Sequence, residues 1–221
     1  MLARRQFLTG LAAVGAGLAA STLVPGVLSS TRAYANSIPP VRETVCGVLA
    51  FVVPGNDHYS RAQGMATDRP GGVTPGTADS LTRTLDRAVP FPFLGPAFGI
   101  SLPGAAAIAA LLNVIAVSIE PGSVRGQFSA PFANLSHARK AQVFDVLDTH
   151  PLIPGLPIKF AVNAIPTLAA FAAYSETSAF DLRTRELTGR PVGWELSNYD
   201  GVSDGWNEFR GYYRGVSSSG G

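Results

Sequence analysis

The sequence predicts a mostly α-helical fold, an irregular helical domain with long Pro/Gly-rich loops and an aromatic C-terminal tail. Three observations predict it. Apolar residues recur at helical spacing, as in Val143, Phe144 and Leu147, and in Ile158, Ala161, Val162, Ile165, Leu168, Ala169 and Ala172. The stretch 105–119 is apolar on every side except at Asn113 and Ser118, the mark of a helix enclosed by other helices. Strict alternation is absent, and so is any repeat of about 20 to 50 residues, which argues against sheets and solenoids.

In chain order, 42–53 is too continuously apolar for periodicity to separate a helix from a buried strand, and Pro54-Gly55 ends it. The segment 56–76 carries Gly64, Pro70, Gly71, Gly72, Pro75 and Gly76 and reads as a long loop. Thr77 is placed to cap a helix over 78–89, with Asp79 in its first turn and Leu81, Leu85 and Ala88 on its inner side. A breaker-rich connection, 90–104, nevertheless contains Phe91, Phe93, Leu94, Phe98 and Ile100, so it must pack on something. The enclosed helix follows, is too short to span a bilayer, and stops at Pro121-Gly122.

Ser136 stands where an N-cap belongs, ahead of a helix over 137–149 with Val143, Phe144 and Leu147 inward and Arg139, Lys140, Asp145 and Asp148 outward. Beyond Pro154 and Pro157 the spacing predicts one long helix over 158–187, kinked or divided at Pro166. The last segment is different. Trp194, Tyr199, Trp206, Phe209, Tyr212 and Tyr213 lie among glycines, and such aromatics either fold back on the domain or anchor another protein.

The amino end carries an address. Arg4-Arg5 followed by Phe7 and Leu8, ahead of the uncharged, Gly- and Ala-rich run 7–28, resembles a twin-arginine export signal. Ala33-Tyr34-Ala35 is a small-x-small cleavage pattern, so 1–35 reads as a signal peptide and 36–221 as the single mature domain. The resemblance implies export of an already folded protein to the periplasm or the extracytoplasmic face of the envelope, through the twin-arginine translocase. A retained membrane anchor is the rival reading, weakened by Pro25 and the polar Ser21-Thr22. The run 15–20 fits G-x-G-x-x-A, but arginines precede it and no acid appears before Glu43, so a dinucleotide site is discarded.

Without 1–35 the net charge moves from +2 to −1, because that segment holds Arg4, Arg5 and Arg32 and no carboxylate. No basic excess remains to favour nucleic acid or acidic lipid. The remaining chain is sparsely charged and rich in Phe, Val, Leu and Ala, a composition suited to a permanent partner. Cys46 is the only cysteine. It is either an intersubunit thiol or a buried one, and its apolar neighbours favour burial.

Catalytic and metal patterns fail on context. Gly201-Val202-Ser203-Asp204-Gly205 matches a nucleophile elbow but lacks a preceding strand and a later histidine. The acids around Asp200 and Asp204 resemble a calcium loop, yet Val202 and Gly211 occupy ligand positions. His58, His137 and His150 are too scattered for a metal motif, and His58 beside Asp57 is the histidine left for a catalytic test. The reading therefore assigns this chain no catalytic, cofactor-binding or metal residue.

The order of features resembles the gluconate 2-dehydrogenase subunit 3 family. The matching parts are the leader, the apolar segment ending in Val52-Val53-Pro54-Gly55-Asn56-Asp57, the Leu135-Ser136 helix start, the helix bearing Ala173-Tyr174, and Gly189-Arg190-Pro191-Val192-Gly193-Trp194. The resemblance implies a helical, non-catalytic small subunit that helps a large FAD-dependent subunit of the glucose-methanol-choline class to fold and to be exported. FAD is then expected in the partner rather than here, with a cytochrome c or a quinone as electron acceptor. Phe91, Phe93, Trp194, Tyr199, Trp206, Tyr212 and Tyr213 are the residues expected at the partner interface. Two other classes stand beside this one: a stand-alone secreted hydrolase-like enzyme using His58 and Asp57, and an extracytoplasmic binding protein stacking a sugar on its aromatic tail.

Overall fold

The ambiguous apolar segment after Pro40 is helical. It forms α1, Val41–Val52, in a computed structural model that describes residues 39–88, 103–149 and 158–199. The described residues are mostly α-helical, as the periodicities predict. Helix α1 has no side-chain N-cap. Its first turn is closed instead by Thr44, whose amide and hydroxyl both donate to Pro40 O, at 3.1 and 2.9 Å. Glu43 sits in that turn, where the helix dipole favours an anion, and accepts from Ser129 Oγ at 2.5 Å and Ala130 N at 2.9 Å.

The segment expected as a single loop contains a short helix, α2, His58–Ala62. Asp57 makes that helix by capping it, its Oδ1 accepting from Tyr59 N and Ser60 N, both at 2.9 Å. Helix α3 runs over Pro75–Ala88 and starts earlier than expected. Thr74, not Thr77, is the cap, since Thr74 Oγ1 accepts from Thr77 N at 3.1 Å, and proline follows at the first helical position. Leu81 and Leu85 are buried as the pattern requires.

Helix α4, Gly104–Ile119, is the central element and packs against α1, α3 and the next long helix. Its wholly apolar circumference is explained by neighbours on each side. The one strongly polar residue at its middle, Asn113, is fully buried and satisfied: Nδ2 donates to Thr44 Oγ1 at 2.7 Å and Oδ1 accepts from Phe132 N at 2.9 Å. Two 3-10 turns, Pro121–Arg125 and Pro131–Asn134, lead to α5, His137–Thr149. Gly47 of α1 lets the second turn approach, because a Cβ there would lie 3.1 Å from Ala133 Cα.

Helix α6 is Ile158–Tyr174, with Pro166 inside it, and it stops thirteen residues short of the expected end at 187. A 3-10 turn, Glu176–Ser178, and a minimal antiparallel hairpin replace the missing half, β1 Phe180–Asp181 pairing with β2 Glu186–Leu187. Helical spacing did not extend past Ala172, and Ser175 Oγ bonding back to Ala172 O helps terminate the helix. The last described helix is α7, Val192–Ser197, ended by Asn198 in the left-handed conformation. It docks on the carboxyl end of α6 so closely that a Cβ on Gly193 would stand 2.1 Å from Tyr174 O. The buried residues of α1, α3, α4, α5, α6 and the second 3-10 turn form one core, with Leu49, Leu81, Leu112, Ile115, Phe132, Leu147 and Ile165 essentially sealed from solvent.

Candidate functional site

Two regions depart from ordinary packing. The first is buried. Lys140, expected on the outer face of α5, has no solvent exposure, a correction with a simple geometric cause. It lies three, four and seven residues before Val143, Phe144 and Leu147, on the very stripe that faces the core. Its Nζ donates to Gln63 Oε1 at 2.8 Å and to Gly47 O at 3.2 Å, and stands 5.5 Å from the centre of the Phe132 ring. Gln63 is fixed in turn, donating from Nε2 to Ala50 O at 2.6 Å, while its backbone carbonyl accepts from His137 N at 3.1 Å. Lys140 and Gln63 thus connect α1, the end of α2 and the start of α5.

Burial lowers the Lys140 pKa from 10.5 to about 7, with the nearby Asp57 charge acting in the opposite sense. Cys46 and Tyr59 occupy the neighbouring interior, with the Tyr59 hydroxyl placed to donate to the Cys46 sulfur. Burial raises both of their pKa values, so thiol and phenol stay protonated at neutral pH. Cys46 is therefore a free thiol inside the core, and a bridge to another chain would require it to come out.

His58 and Asp57 are brought together, but each already has a structural task. Asp57 Oδ2 accepts from Ser60 Oγ at 2.7 Å while Ser60 Oγ accepts from Gly55 N at 3.0 Å, which completes the cap and pins the turn after α1. The exposed His58 ring lies tilted against Tyr59 and Phe128, with centroids at 4.4 and 5.5 Å. Tyr59 and Phe128 are themselves stacked at 4.3 Å. Among the described residues no group of three or more His, Cys, Asp or Glu side chains is arranged to hold a metal ion, and no helix is long and apolar enough to cross a membrane.

The second region is a surface. Six of the eight large apolar side chains exposed among the described residues fall between Phe171 and Tyr199. Phe171 is 74% exposed and Tyr174, one turn later on α6, is 49% exposed. Leu182 and Leu187 belong to the hairpin, Leu196 to α7, and Tyr199 follows it. Of the residues expected at a partner interface, Trp194 and Tyr199 are here, in edge-to-face contact at 5.3 Å and 81°. Arg190 Nη2 donates to Tyr199 O, which holds the end of this segment against its beginning. Phe91, Phe93, Trp206, Tyr212 and Tyr213, with the export residues Arg4, Arg5, Phe7 and Leu8, the cleavage residues Ala33 and Ala35, and the elbow-like and calcium-like patterns after Tyr199, lie outside the described residues.

Sequence reasoning passed over Phe171 and Tyr174. Their signal was present: Ile165, Leu168, Ala169 and Ala172 define the inward stripe of α6, and these two aromatics fall off it. By the same helical spacing Lys140 falls on the inward stripe of α5. Searches among protein-family models, curated proteins and solved structures find no match to this chain.

Proposed function

We propose that this chain is the non-catalytic small subunit of an exported FAD-dependent sugar or alcohol dehydrogenase, assisting the folding and twin-arginine export of its catalytic partner. The observation that carries the reading is the exposed apolar surface around Phe171, Tyr174, Leu196 and Tyr199, on a chain whose leader resembles a signal for folded cargo. Aromatic anchors on a helix surface are the usual centre of a protein interface, and Trp194 and Tyr199 extend the same patch. The hydrogen-bonded polar residues support it indirectly. Asp57, Asn113, Gln63 and Lys140 are each committed to tying backbone segments together, which is what a scaffold requires of them. The partner carries the FAD and passes electrons to a cytochrome c or a quinone.

The test is to isolate the tagged full-length chain from its host and to record composition and absorbance of the product. A stoichiometric large subunit with flavin absorbance is the expected result, lost on Phe171→Asp together with Tyr174→Asp while the circular dichroism of the small chain is retained. A colourless monomer from the same cells would overturn the reading.

A further inference from the structure

Lys140 is the only Lys, Arg, His, Asp or Glu among the buried described residues. Its surroundings suit an amine better than an ammonium. A charged lysine presents three N–H donors and a neutral one presents two. Two acceptors meet Nζ, Gln63 Oε1 and Gly47 O, and no carboxylate of the described residues forms an ion pair with it. A buried ammonium would have only the face of the Phe132 ring, 5.5 Å away, for its third donor and no counter-charge in contact, the costlier of the two states in a low-dielectric interior.

We propose that Lys140 is a proton-operated brace: its neutral amine holds α5 against α1 and the end of α2, and proton uptake loosens that junction. The surrounding elements carry the following titratable and charged groups. From α1 come Cys46, whose thiol is held protonated by burial, and Arg42 and Glu43 at the helix start. From α2 and its cap come His58, Tyr59 and Asp57, with the Tyr59 phenol also held protonated. The second 3-10 turn contributes only the Phe132 ring, and α5 itself adds His137, tilted against Phe51 at 4.7 Å, and the exposed Arg139. Asp57 is the anion whose field reaches Lys140, and it favours the ammonium without outweighing burial.

The sign of the linkage is set by the depressed pKa. Between about 7 and 10.5 the unfolded chain keeps a proton that the folded chain has released, so stability rises with pH across that window. The unfolding constant falls by up to about tenfold per pH unit there. Well below pH 7 both states are protonated and this contribution is at its minimum.

The test is independent of the small-subunit reading. The chain has two lysines, Lys140 and Lys159, so a Lys159→Arg variant grown with 13C-labelled lysine leaves a single lysine signal to titrate. The expected midpoint is near neutrality, and the His137 amide, which donates to Gln63 O, should lose protection at pH 6 relative to pH 8.5 after correction for intrinsic exchange. Lys140→Met should remove the rise of stability with pH. A Lys140 midpoint near 10, or unchanged His137 protection, would overturn the proposal, and both are read on a chain that keeps Lys140.

Discussion

Lys140 Nζ and Gln63 Oε1 meet at 2.8 Å in the interior, although 77 residues separate them along the chain. Each is also bound to α1, Lys140 through Gly47 O and Gln63 through Ala50 O, so the pair acts as a cross-tie between distant segments. Its energetics are asymmetric, because removing one member strands the other.

Gln63→Leu is therefore expected to destabilise by about 3 kcal/mol, since it leaves a buried amine short of an acceptor. Lys140→Met together with Gln63→Leu should cost less than the sum of the single changes. Urea denaturation of the four proteins in a double-mutant cycle measures the coupling, and strict additivity would mean that the two side chains do not act as a unit.

Asn113 carries the second buried tie, joining α1 to the 3-10 turn at Phe132 through α4. Asn113→Leu strands the Phe132 amide and removes the donor to Thr44 Oγ1, which keeps its own bond to Pro40 O. A loss of about 2 to 3 kcal/mol is expected, with a lower thermal midpoint.

Asp57 is a cap before it is anything else. Asp57→Ala should cost about 1 to 2 kcal/mol by freeing the Tyr59 and Ser60 amides, whereas Asp57→Asn should recover most of that loss. His58→Ala should change stability by less than about 1 kcal/mol, because it removes only tilted ring contacts with Tyr59 and Phe128. Calorimetry on the three variants checks the order.

Ser123 provides a change of opposite sign. Its hydroxyl is the one buried side-chain polar atom of the described residues without a hydrogen-bond partner. Ser123→Ala relieves that desolvation and leaves the backbone carbonyl free to accept from Asn134 Nδ2, so stability should be unchanged or rise by up to about 1 kcal/mol. Chemical denaturation of this single variant decides it.

Local rules carried the helices whose faces differ in polarity. Leu81 and Leu85 in α3, and Val143 and Leu147 in α5, were placed inward by spacing alone and are inward. The enclosed character of 104–119 was equally legible, since a helix apolar all round can only be surrounded. Boundaries fared less well. Thr77 had the chemistry of a cap, but Thr74 followed by Pro75 had it one turn earlier. The expected continuation of α6 to 187 ignored Ser175 and Thr177, whose hydroxyls turn back to the Ala172 carbonyl.

The sequence by itself determined the class, mostly helical with apolar stripes of the right period, because helix periodicity and proline and glycine breaks are properties of neighbours along the chain. Only the tertiary structure decided that Lys140 meets Gln63, that Asn113 bridges Thr44 and Phe132, and that no other described element covers Phe171 and Tyr174. Those outcomes depend on which backbone carbonyls and amides distant segments bring within 3 Å of one another, and on which face of a helix finds no neighbour. Neither quantity is encoded in any short window of residues.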